Sequence, residues 1–154
     1  MLKKGELIRS AGKLQQPSLE AAKEYEAVRE EMAARINAIL SRRKDLDALI
    51  GPGNLEMMQD NHRNHARFFS SLFTSYSPEV LVETVLWVFR AYRSHGFHED
   101  YWMVQLDSWM EVLESSLSEA AFLEIAPFYR WLIFNHIWFV VLSEADPGQT
   151  FSQH

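Results

Sequence analysis

The chain contains no cysteine. That absence removes disulfides, thiolate zinc sites, iron–sulfur clusters and thiol nucleophiles together. Glycine and proline are sparse, at six and five residues, so few positions break a regular element. Lysine is missing after Lys44. No segment alternates apolar and polar residues over a useful length, which argues against a sheet. The Gly51-Pro52-Gly53-Asn54 stretch lacks the Lys-Ser/Thr that follows in a phosphate-binding loop. No Gly-x-Ser-x-Gly elbow occurs, nor a His-Glu-x-x-His zinc motif, nor the Glu-x-x-His of di-iron bundles. Met1 to Glu6 leads into no apolar run, so no secretory leader is expected.

What is present is one domain's worth of chain: 154 residues, 47% hydrophobic and 23% charged. The net charge of −6 is unevenly spread: residues 1–53 carry ten Lys/Arg against eight Asp/Glu, residues 54–154 five Arg against thirteen Asp/Glu. An acidic body repels phosphate backbones, so no nucleic-acid partner is expected. The short basic run Arg42-Arg43-Lys44 reads as a solvated helix end. Aromatic residues are segregated too. Tyr25 is the only one before Phe68, and eighteen of the twenty fall between Phe68 and Phe139. This predicts an N-terminal arm and covering helix over 1–53, an aromatic-rich helical core over 54–145 and a loose tail over 146–154.

The punctuation predicts five main helices. Ser18 caps the first, whose narrow apolar stripe is Tyr25, Val28, Met32, Ile36 and Ile39. Gly51-Pro52-Gly53 separates it from a second helix capped at Asn54. Ser77-Pro78 starts a third, ending at Gly96. The fourth runs from about Glu99 to Leu117 on a stripe of Trp102, Leu106, Trp109 and Leu113. Ser118 caps a short segment, and Pro127 is expected to kink or restart the last helix. Trp131 to Leu142 is apolar on every side except Asn135-His136. It is too short and too polar for a membrane span, which needs about twenty apolar residues. It is expected to be a buried central helix or half of a subunit interface. The fold class is all-α: a helical bundle or globin-like packing with a peripheral N-terminal and a buried C-terminal helix.

The second helix carries the informative polar residues. Its seam reads Leu55, Met58, His62, His65, Phe69, Leu72, Tyr76 at spacings of three and four, which turns both histidines inward. His136 lies on the most apolar helix, near Tyr129 and Trp131. Imidazoles are transition-metal and haem ligands, so His62, His65 and His136 are candidate metal ligands, and with Tyr129 and Trp131 candidate cofactor-binding residues. The same groups suit a small-molecule pocket, or simply hydrogen-bonded core histidines beside Asp60, Asn61, Asn64 and Asn135. Arg90, Arg93, His95 and His98 end the third helix, where cations are favourable in any case and an anion site is the alternative. Trp87, between Glu83 and Arg90, suits a partner contact.

No motif specifies a catalytic acid/base pair. The expected function is a non-catalytic sensory, regulatory or protein-interaction module with an aromatic pocket, cytoplasmic and homodimeric, with a small-molecule ligand or protein partner and no membrane association. The alternative is a haem- or metal-binding protein built on the three histidines.

Overall fold

The structure, a computed structural model, describes residues 3–144; the tail expected over 146–154 lies outside the described residues. Among these the chain is all-α, with five long helices and two short ones: α1 Lys4–Ala11, α2 Leu19–Ser41, α3 Leu46–Ile50, α4 Leu55–Leu72, α5 Pro78–Ser94, α6 Asp100–Ser116 and α7 Glu119–Glu144.

Local chemistry sets the helix ends. The Ser18 and Ser77 hydroxyls accept the Ala21 and Val80 amides at 3.2 Å, and Ser118 accepts Ala121 at the same distance. The end of α5 is a Schellman turn. Gly96 stands at φ +99°, and the Phe97 and Gly96 amides donate to the carbonyls of Tyr92 and Arg93. The Tyr92 and Phe97 rings meet edge to face across it. Asn54 ties two loops together by donating Nδ2 to the carbonyls of Ile50 and His95.

Two expectations about the ends of the chain need correction. First, α2 is central rather than peripheral. Tyr25, Met32, Ala33 and Ile36 are fully buried, and α2 packs against α4, α6 and α7. Its stripe is narrow because Ala21, Ala22 and Ala33 fill it, and small side chains bring helix axes close. Second, α7 runs through Pro127 without a break. A mid-helix proline costs about 3 kcal/mol. Buried Ile125, Ala126, Phe128 and Tyr129 on either side keep the segment helical against that cost. Nor is α7 buried all round, since Leu123, Phe134 and Ile137 face solvent.

α5 rests mainly on α1 and α7 and approaches α4 only sparsely. This uneven packing creates the site.

Candidate ligand-binding cavity

A cavity of about 210 Å³ fills the gap between α4 and α5, with α6 and α7 as its floor. Its deep walls are Phe69, Phe89, Trp102, Leu106, Leu132 and Phe139. Phe89 and Trp102 stack nearly parallel, 4.1 Å between centroids. Asn64 and Trp87 are exposed and line the same space, so the cavity reaches the surface there. Among the described residues no Asp, Glu, Lys or Arg lines it. Its polar atoms come from Asn61 and His65, one turn apart on α4, from Gln105 on α6, and from Asn64, Thr84 and Tyr92.

Two hydrogen-bond chains run behind the cavity. In the first, Tyr101 OH lies 2.8 Å from both Asn61 Nδ2 and His62 Nε2, and His62 Nδ1 lies 2.6 Å from Asn37 Oδ1. The Asn37 oxygen only accepts, so the His62 proton sits on Nδ1. Tyr101 then donates to Nε2 and accepts from Asn61, so the three contacts are mutually consistent. In the second, Tyr25 OH is 2.7 Å from Tyr129 OH, which is 2.9 Å from His65 Nε2. Tyr25 is fully buried and makes no other side-chain hydrogen bond, so its proton must go to Tyr129. Tyr129 therefore donates to His65 Nε2, and the His65 proton is left on Nδ1. The opposite polarity would strand a buried hydroxyl proton, at about 1–3 kcal/mol.

Burial governs the ionisation of these groups. It pushes His62 down to about 3, with a smaller contribution from the Arg63 charge. It pushes His65 down to about 3 as well, with His62 contributing next. His65 stacks on Trp109 at 4.4 Å and leans on Phe69 at 4.6 Å, an environment with no place for a charge. Burial also raises Tyr25, Tyr101 and Tyr129. Tyr92 is raised by burial, then by Asp60.

The histidines do not assemble into one site. His62 has both nitrogens engaged, and His136, partly exposed, bonds the Ile133 carbonyl of its own helix through Nδ1. Among the described residues no group of three His, Asp or Glu side chains is placed to hold a metal ion. The cavity's volume of about 210 Å³ lies below the roughly 300–1,000 Å³ of pockets that take drug-sized ligands. Tyr129 stands behind His65 instead of lining the cavity. Trp131 faces α1, donating Nε1 to Ser10 Oγ at 2.9 Å. The Arg90 and Arg93 guanidiniums reach the Leu142 and Val140 carbonyls, and Arg93 also pairs with Glu144, so they hold the end of α7.

Gln105 is the residue that sequence reasoning missed. It is 97% buried, its amide makes no hydrogen bond to any described residue, and its Oε1 is sealed from solvent. Its signal was present: it lies three residues after Trp102 and four before Trp109, so a polar amide occupies the apolar stripe of α6. Comparison with protein-family models, curated proteins and solved structures found no match to this chain.

Proposed function

We propose that the chain is a non-catalytic, ligand-responsive helical module whose α4–α5 cavity takes one small neutral molecule. The observation that carries this reading is Gln105, an amide with no partner among the described residues on the wall of a largely apolar cavity. A buried amide without partners costs about 1–3 kcal/mol, and a polar ligand relieves that cost. The size is suitable: an apolar cavity of about 150 Å³ holds benzene, and this one is larger.

The lack of a group that titrates near neutrality supports a binding role over catalysis. The titratable groups on the cavity wall are His65 and Tyr92, and burial keeps both neutral near pH 7. The sensory part of the proposal rests on α5. Because α5 touches α4 so little, a ligand supplies contacts that the helix otherwise lacks, and occupancy sets how firmly α5 is held. α5 also displays Val80 and Trp87 to solvent, the latter 65% exposed, where a protein partner would read its position.

Thermal denaturation with indole or naphthalene tests the reading. A probe at a hundred times its Kd stabilises the fold by about 2.7 kcal/mol. Filling the space by Leu106→Trp, or narrowing it by Val85→Phe, is expected to abolish that gain. If no neutral aromatic probe raises the midpoint of the wild-type chain, the cavity is not a binding site.

A further inference from the structure

The polar atoms of the cavity have a definite pattern. Gln105 lies on α6 midway between Tyr101, which binds Asn61, and Trp109, which stacks on His65. Asn61, His65 and Gln105 are thereby brought to one stretch of wall. The polarity of the two hydrogen-bond chains fixes what each presents. Asn61 spends Nδ2 on Tyr101, and its Oδ1 is a free acceptor. His65 spends Nε2 on Tyr129, and its Nδ1–H is a free donor. Gln105 makes no side-chain hydrogen bond among the described residues; its Oε1 is sealed, and its Nε2 is the donor left to the cavity.

From this arrangement, and resting on the cavity being a ligand site, we infer that it selects a neutral, flat, two-ring heteroaromatic compound with an adjacent N–H and C=O on one edge, as in a lactam. The N–H donates to Asn61 Oδ1, and the C=O accepts from His65 Nδ1–H or Gln105 Nε2. The second ring lies among Phe89, Trp102, Leu106 and Phe139. Carboxylates and amines are rejected, because no lining side chain among the described residues carries a charge to pair with theirs. Recognition by buried hydrogen-bonding groups also discriminates against analogues that lack the edge, since these leave the protein's own groups unmatched.

Quinolin-2(1H)-one, N-methylquinolin-2-one, naphthalene and quinoline-2-carboxylate test this by isothermal titration against the full chain. Quinolin-2(1H)-one is expected to bind about tenfold more tightly than its N-methyl derivative, the equivalent of one net hydrogen bond. Naphthalene is expected to be weaker again, and the carboxylate not to bind. Gln105→Leu is expected to lower the affinity for quinolin-2(1H)-one about tenfold and to leave that for naphthalene unchanged or improved; His65→Phe is expected to act in the same direction. Equal affinities of the wild-type chain for quinolin-2(1H)-one, its N-methyl derivative and naphthalene overturn the lactam-edge inference while leaving the cavity a binding site. This comparison needs no variant and stands even if Gln105→Leu fails to fold. Binding of none of the four overturns both readings.

Discussion

Ser70 on α4 is 1% exposed, and its hydroxyl has no hydrogen-bond partner among the described residues. Ser70→Ala is therefore expected to raise stability by about 1 kcal/mol, since it removes an unmatched polar group without opening a void; a lower urea midpoint for the variant would contradict it. The histidines behave differently, because they are matched only while neutral. The unfolded chain takes up their protons near pH 6.5, whereas the folded chain resists until about pH 3. In that window the unfolded state binds more protons, so stability is complete above pH 6.5 and falls as the pH drops. The loss is about 2 kcal/mol per ring between pH 7 and pH 5. His65→Phe is expected to remove one ring's share of that slope, measurable by urea unfolding at the two pH values. The inward direction of His62 and His65 was legible in their spacing of three on an apolar seam. Their role was not. It depends on Asn37, Tyr101 and Tyr129, which lie far away in sequence and carry no local signal of proximity.

At the scale of elements, α2 and α7 hold each other's starts. Glu124, six residues after the Ser118 cap, accepts from the Ser18 amide and hydroxyl at 2.6 and 3.0 Å. Glu24, six residues after the Ser18 cap, accepts from Ser118 in the same way at 2.6 and 2.9 Å. Each carboxylate also sits at the positive end of the other's helix. Glu24→Ala is expected to cost about 1 kcal/mol. In a double-mutant cycle with Ser118→Ala, about 0.5–1 kcal/mol of coupling is expected. Strict additivity would mean that the pair does not act as a clamp. The caps Ser18, Ser77 and Ser118 and the stop at Gly96 were all readable, because capping is a local matter of side-chain reach and backbone angle. The central place of α2 was not. A stripe rich in alanine looks weak by hydrophobicity, yet it allows close approach, and the half-buried Asn37 finds its partner, His62, only in the fold. The restart expected at Pro127 did not occur for the opposite reason: a strong local preference was overruled by burial on both sides.

Across the whole molecule, packing is uneven. α2 lies against α4, α6 and α7, whereas α5 depends chiefly on α7 and on the eight-residue α1. α1 is itself held by the exposed Lys4–Glu83 ion pair and by bonds from Tyr76 to the Ala11 carbonyl and from Trp131 to Ser10. Exposed ion pairs contribute under about 1 kcal/mol, so the attachment of α1 rests mostly on Leu7, Ala11 and the Trp131 and Tyr76 bonds. Regions with fewer buried contacts open at free energies below that of global unfolding. α1 and α5 should therefore open together, with α2, α4 and α7 remaining folded. Amide hydrogen exchange at pH 7.5 is expected to show faster exchange in the interior of α1 and α5 than in the interior of α2 and α4. Weakening the α1 attachment by Ser10→Ala is expected to speed exchange in α5 without changing that in α4. A ligand bridging α4 and α5 is expected to reverse the difference, slowing α5 far more than α2. Uniform protection of all the long helices, unchanged by Ser10→Ala, would show that α5 is held as firmly as the rest. The cavity would then be a fixed pocket, and occupancy would have no route to the outer face of α5.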